Sequence, residues 1–198
     1  MFYYIKGKLV QKTDSFAVID AGGIGYQIHS TRPSLQALGE AGTQATLYTY
    51  LHIKNTSDIC DLYGFATLEE RNLFRMILGV SGIGAKTAQN LLSNVSPSKF
   101  ALCVVTNDAK YLAANTPGLG PKGAQRLILE LKDKFKGMEL DNIPQEEIFS
   151  QDGAEDNEAV SALVVLGYAP QEAKRALQGA TGSVEEMIKF GLKNLVKG

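Results

Sequence analysis

The chain reads as a multi-domain α+β protein: a small β-barrel, a basic all-α segment, an acidic flexible linker and a C-terminal three-helix bundle. Three observations predict this order. Strand-favouring runs separated by turn residues fill the first 65 positions. At Thr67 the apolar period changes from that of strands to that of helices. Between positions 138 and 155 there are six acidic residues and no basic one, and helical patterning resumes after them.

The strands come first. Phe2 to Val10 is rich in aromatic and β-branched residues, and Phe16 to Asp20 is a second such run. Gly22-Gly23 signals a turn, with Ile24 to His29 as the returning arm of a hairpin. Ser34 to Leu38, after Pro33, suits a short helix. Thr46 to Ile53 and Ile59 to Phe65 complete the set. Five short strands within residues 1–65 suit a small closed or partly closed barrel of the OB-like kind.

From 66 to 137 the pattern predicts short helices interrupted by glycines. Leu68, Phe74, Ile77 and Leu78 fall on one face, with Glu69, Glu70 and Arg71 expected to face outwards. Leu127, Leu131 and Phe135 form a stripe on a last helix that should end near Gly137. Residues 138–155 include Pro144 and Gly153 among their acids and are expected to be a flexible tether. Residues 156–198 predict three helices, at Ala159 to Leu166, Gln171 to Leu177 and Val184 to Leu195. A bundle this small sits near the limit of independent stability and suits a partner-docking module.

Net charge is −1, which looks unpromising for a nucleic-acid binder. The total hides an asymmetry, because residues 66–137 carry ten basic residues against five acidic ones. Local field, not total charge, attracts a polyanion. No apolar stretch is long enough for a membrane span, and the N-terminus has no secretory pattern, so a cytoplasmic protein is expected. Cys60 and Cys103 lie far apart and are expected to be reduced thiols. His29 and His52 are the only imidazoles.

The strongest signal is an internal repeat. Gly79-Val-Ser-Gly-Ile-Gly-Ala-Lys-Thr-Ala-Gln-Asn-Leu-Leu92 aligns with Asn115-Thr-Pro-Gly-Leu-Gly-Pro-Lys-Gly-Ala-Gln-Arg-Leu-Ile128, 36 residues later, with six of 14 positions identical. In each copy two glycines flank one apolar residue and a lysine follows. The glycines, Gly82 and Gly84, then Gly118 and Gly120, permit positive φ and close approach of a phosphate to the backbone. Ile83 and Leu119 can anchor each loop in its own helices. The helix that follows offers unsatisfied N–H groups and a positive dipole end. Lys86 with Thr87, and Lys122 with Gly123, stand at its start, the lysines adding charge, and Pro121 fits a first helical position. None of these groups reads base edges, so the contact should be independent of sequence.

Two nucleotide-binding readings fail on spacing. A P-loop needs Lys directly after its second glycine, where Ala85 stands, and the second copy has Gly123 in place of the hydroxyl residue. A dinucleotide fingerprint needs a preceding strand and a βαβ unit, and the context here is helical.

This repeat is similar to the tandem helix-hairpin-helix motif. With Leu62-Tyr-Gly-Phe65, Glu70-Arg71, Leu73-Phe74 and Glu130-Leu-Lys-Asp-Lys-Phe135 in the same order around it, the whole chain resembles the RuvA family of Holliday-junction proteins. The resemblance implies an OB-like barrel (1–65), a double helix-hairpin-helix domain (66–137), the linker (138–155) and a UBA-like C-terminal domain (156–198). It also implies tetramers, or octamers on DNA, that hold four-way junctions open in recombination and repair. The hexameric ATPase RuvB would be recruited as motor, with the resolvase RuvC in the same pathway. DNA contact falls on Gly82, Ile83, Gly84, Lys86 and Thr87, and on Gly118, Leu119, Gly120, Lys122 and Gly123. RuvB docking falls on Leu163, Leu166 and Tyr168, around Gly167.

One departure concerns the family's pair of adjacent acids on a barrel loop, a pin near the junction centre. The matching positions are Ser57 and Asp58, so one acid is lost and the repulsive field is weaker. Asp61 is close by but falls within the strand pattern. Nothing assembles into a catalytic, metal or cofactor site, and a non-catalytic subunit is expected. A helix-hairpin-helix glycosylase using Asp133, and a general duplex-binding scaffold, are the alternatives.

Overall fold

The computed structural model describes residues 2–53, 60–139 and 154–195, with the backbone alone over 133–139 and 154–157. The chain forms two compact units, Met1–Asn94 and Val95–Gly198.

The first unit is built on a closed five-stranded barrel, β1 (Tyr4–Lys12), β2 (Phe16–Ala21), β3 (Ile24–Ser30), β4 (Gln44–Ile53) and β5 (Cys60–Phe65), in the order β1-β2-β3-β5-β4. All neighbours are antiparallel except β3 and β5, which pair in parallel at His29–Tyr63 and Ser30–Gly64. The alternating pattern of the sequence is the alternation of the strands, with Leu9, Ala17, Ile19, Ile28 and Leu47 wholly inside. Gly22 and Gly23 both take positive φ, as a two-residue turn between right-twisted strands requires. At Gly64 the strands crowd so closely that a Cβ would lie 2.5 Å from Ile28 Cγ2, so only glycine fits.

Short α1 (Arg32–Ala37) begins at Thr31, whose hydroxyl accepts from Ser34 N. The change of period at Thr67 is a helix cap, because Thr67 accepts from Glu70 N at the start of α2 (Leu68–Leu78). Phe74 seats α2 on the barrel, with ring centroids 4.8 Å from Phe65, 5.1 Å from Tyr63 and 5.8 Å from Tyr50.

The outward placing of Glu70 and Arg71 is corrected here, since both are buried. The Thr31 and Ser34 hydroxyls donate to the two Glu70 carboxylate oxygens, and Ser34 also accepts from Ala66 N. Burial pushes the Glu70 carboxyl above its ordinary range, against the lowering effect of those hydroxyls. Arg71 stacks on Tyr3, with its guanidinium carbon 4.4 Å from the ring centroid. A charge on a helix reads as solvent-facing unless a partner is known, and these partners come from distant residues. The unit closes with α3 (Ala85–Asn94).

In the second unit, α4 (Pro97–Thr106) is capped by Ser96 and ended by Asn107 in the left-handed conformation, and α5 (Ala109–Asn115) is capped by Asp108. α6 (Pro121–Glu139) follows the second Gly-x-Gly. Its stripe holds for Leu127 and Leu131, both buried, while the Phe135 side chain lies outside the described residues. α7 (Ala154–Val165), α8 (Pro170–Ala176) and α9 (Val184–Leu195) make the three-helix bundle. Before α9, Ser183 and Glu186 exchange bonds across the cap, Glu186 N to the Ser183 hydroxyl and Ser183 N to the Glu186 carboxylate. Most of the acidic linker, residues 140–153, lies outside the described residues.

Candidate nucleic-acid interface

The two copies of the repeat build the same turn twice. Ile83 N donates to Val80 O at 3.2 Å and Leu119 N to Thr116 O at 3.1 Å. The next helix opens identically in both, from Ala88 N to Gly84 O and from Ala124 N to Gly120 O, at 3.0 and 2.9 Å. Ile83 and Leu119 are 8% and 6% exposed, so each plugs its loop into the protein. The four glycines around them, and Lys86 and Lys122, are on the surface.

The two glycines of each turn have different reasons to be glycine. Gly82 and Gly118 adopt φ of +84° and +87°, which L side chains rarely tolerate. Gly84 and Gly120 do not have positive φ, so that part of the expectation is corrected for them. A Cβ built on either would meet nothing within 4 Å. The fold therefore leaves the second glycine of both turns free, with open space over its backbone. Gly123 has an internal reason of its own, since a Cβ there would come within 3.1 Å of Leu119 Cδ1. Thr87, at the matching position, is half-buried.

These two helix starts also combine an acid-free first turn with the absence of a capping side chain. α3 and α6 have no acidic residue in the first turn and follow a glycine, whereas α1, α4 and α5, equally without acids, are capped by Thr31, Ser96 and Asp108, and α2 and α9 carry Glu69 and Glu70, and Glu185 and Glu186. Acids normally stabilise a helix start by meeting its dipole. Leaving two starts without them, behind residues that have no side chain to cap with, keeps their N–H groups open to an external anion. The basic surplus keeps its charge, but some of its cations are engaged within the protein. Arg71 lies on Tyr3, Lys132 Nζ donates to Val105 O, and Lys99 lies 4.9 Å from the Tyr111 ring centroid.

Sequence reasoning missed what stands behind the first turn. Gln89 is 4% exposed, and its amide nitrogen donates to Ser15 O at 3.2 Å and Ser30 O at 2.5 Å, both on the barrel. Its oxygen faces Lys86 Nζ at 3.5 Å. No local signal marks this role, because Gln125 repeats the residue without it.

The other expected positions fare unequally. Leu163 is corrected from docking surface to core: it is fully buried, and a Cβ on Gly191 of α9 would lie 2.8 Å from its Cδ1. Leu166 and Tyr168 are half-buried, beside Gly167 at φ +94°. Ser57 and Asp58 lie outside the described residues, as does the Asp133 side chain. Asp61 is within β5. Cys60 is exposed and Cys103 buried, both as free thiols; burial, followed by Asp108, pushes the Cys103 thiol up to about 11. Among the described residues no three His, Cys, Asp or Glu side chains come together as a metal site, and no helix is long and apolar enough to cross a membrane.

A five-stranded OB-like barrel followed by two such turns defines a barrel-bearing tandem helix-hairpin-helix protein. Comparison with known families agrees segment by segment: residues 1–64 match the RuvA N terminal domain, 74–133 the SAM-like helix-hairpin-helix tandem, and 155–196 the RuvA C-terminal domain. The chain is similar over its full length to the Holliday junction branch migration complex subunit RuvA of Acetivibrio thermocellus, at 42% identity with both chains wholly covered. Proteins of the same description from Ruminiclostridium cellulolyticum and Thioalkalivibrio sulfidiphilus are 43% and 37% identical, each over 98% of this chain and 100% and 98% of their own. The chain belongs to the RuvA family.

Proposed function

We propose that this protein binds four-way DNA junctions through their sugar–phosphate backbones, without reading sequence, and holds them open for branch migration. The observation that carries the proposal is the pair of second glycines. Gly84 and Gly120 are exposed, need no positive φ and have nothing in front of them. A phosphate laid against the backbone at the start of α3 or α6 is what a side chain there would obstruct. Lys86 and Lys122 add charge at the same two places. The name the relatives share, a Holliday junction branch migration complex subunit, supports the junction as the form of DNA bound.

The rest of the proposal follows that name and the family resemblance. The chain is a non-catalytic subunit that acts in the cytoplasm as a homotetramer, or as an octamer closed around the DNA. It recruits the hexameric ATPase RuvB as motor, through the surface around Leu166 and Tyr168, and shares its pathway with RuvC. Several weak phosphate grips per assembly combine by avidity, which favours a structure offering several duplex arms at once.

The test is a competition gel shift at fixed salt, with native mass measured on the bound species. A labelled four-way junction should be displaced by unlabelled junction at far lower concentration than by linear duplex of the same length. Equal competition by both would remove the junction from the proposal.

A further inference from the structure

The first turn shares a cavity of about 310 Å³ with the barrel, and the cavity holds the chain's one histidine–carboxylate pair among the described residues. His29, Asp61 and Tyr63 line it from β3 and β5, and Gly84, Lys86 and Gln89 from the turn and α3. His29 Nε2 stands 4.0 Å from Asp61 Oδ1, both side chains about one-third exposed, at 32% and 29%. The concavity beside the second turn, about 370 Å³, is lined by Ala109, Ala113, Leu119 and Pro121 among others, with Lys110 its one charged residue. The two phosphate grips are alike in their loops and unlike in what flanks them.

A carboxylate beside a phosphate-binding lysine is unfavourable by simple Coulomb repulsion. An imidazole 4.0 Å away can cancel it, but only when protonated. Histidine is the side chain whose charge changes between about pH 5 and pH 8. We propose that His29 and Asp61 make the first turn's grip on DNA depend on a proton. With His29 protonated the pair is neutral, Lys86 acts undiminished, and the imidazolium supplies a further donor to the sugar–phosphate backbone. With His29 neutral, Asp61 stands uncompensated in the same cavity and repels the phosphate. Binding therefore tightens as pH falls through the imidazole's titration.

The groups that face His29 are few. β5 supplies Asp61 and Tyr63, whose ring lies 5.6 Å from the imidazole centroid, and α3 supplies Lys86 through the shared cavity. β4 supplies His52, the cross-strand partner of Asp61, whose ring meets Tyr63 edge-on at 6.3 Å. Tyr63 is pushed up to about 12, by burial first and Asp61 second, so it stays neutral throughout.

The inference rests on reading the first turn as a phosphate site, and the experiment separates the two. Affinity of the full chain for a four-way junction is measured at pH 6.0, 7.0 and 8.0 at constant ionic strength. The wild type is compared with His29→Gln, His52→Gln and Asp61→Asn. The chain has two histidines, so these variants assign any imidazole response. The wild type should bind about three- to five-fold tighter at pH 6.0 than at pH 8.0, the scale of a partly exposed ion pair. His52→Gln should keep that response and His29→Gln should lose it. Asp61→Asn, which leaves the imidazole in place and so carries the test if His29→Gln unfolds, should bind about three-fold tighter than wild type at pH 8.0. A wild-type pH response surviving in His29→Gln, or no gain in Asp61→Asn, overturns the inference while leaving the phosphate site standing. Failure of the wild type to bind DNA at any pH sinks the phosphate reading and this inference with it.

Discussion

Gln89 and Gln125 hold the same place in the two copies of the repeat, yet Gln89 is buried with its amide on Ser15 O and Ser30 O, while Gln125 lies on the surface. Identity of sequence has been put to different physical use. In the first copy the glutamine ties the helix after the loop to the barrel and faces the loop's lysine.

Gln89→Ala should therefore lower stability by about 1–3 kcal/mol, the usual effect of truncating a buried hydrogen-bonding group. Gln125→Ala should stay within about 0.5 kcal/mol of wild type. Chemical unfolding of the two single variants checks this, and equal losses would contradict it.

The glycine pairs predict a split between stability and binding. Gly82→Ala and Gly118→Ala should each cost about 1–2 kcal/mol of stability, because both positions are left-handed. Gly84→Ala and Gly120→Ala should cost no more than about 1 kcal/mol, as changes at a helix start. The latter pair should nonetheless weaken DNA binding, and unaltered affinity in the double variant would mean that no backbone approaches there.

Lys86→Glu combined with Lys122→Glu should weaken DNA binding while leaving the unfolding midpoint close to wild type, since both side chains are exposed. Removing one lysine–phosphate pairing should flatten the log–log salt dependence by about 0.9. Titrations at several salt concentrations read this directly, and an unchanged slope would place the lysines outside the interface.

Glu70 gives a pH-dependent prediction with a definite sign. Its folded-state pKa is raised from the ordinary 4.5, chiefly by burial, so the folded protein holds this proton more tightly than the unfolded chain. The stabilisation is present below the ordinary value and is lost as pH rises through the raised one. The stability of Glu70→Gln relative to wild type should accordingly increase from pH 4 to pH 8. A difference that stays constant across the range would mean that the carboxyl titrates alike in both states.

Leu163→Ala should cost about 2–5 kcal/mol in the C-terminal bundle, as a large-to-small change in a core. Leu166→Ala and Tyr168→Ala should cost less, and pull-down with the hexameric ATPase should fall for them while the bundle's helical signal persists.

Much of this molecule was legible in the sequence because its signals are local. Five β-runs, a two-glycine hairpin, the change of period at Thr67 and a duplicated turn each announce themselves within a few residues. What could not be read depends on partners far along the chain. Glu70 looked exposed until Thr31 and Ser34 were seen beneath it. Leu163 looked like any apolar residue near a helix end until Gly191 was seen against it. The glycines of each turn looked alike, because a sequence does not say which of two glycines carries the unusual φ.

Each Gly-x-Gly turn is closed by a bond between its own residues, Ile83 N to Val80 O and Leu119 N to Thr116 O, and the next helix opens from its second glycine. The two loops are closed in the same way. Exchanging Val80–Lys86 with Thr116–Lys122 would transplant an intact grip into either setting, and the chimaeras would report how much of each grip's strength belongs to the loop and how much to its neighbourhood.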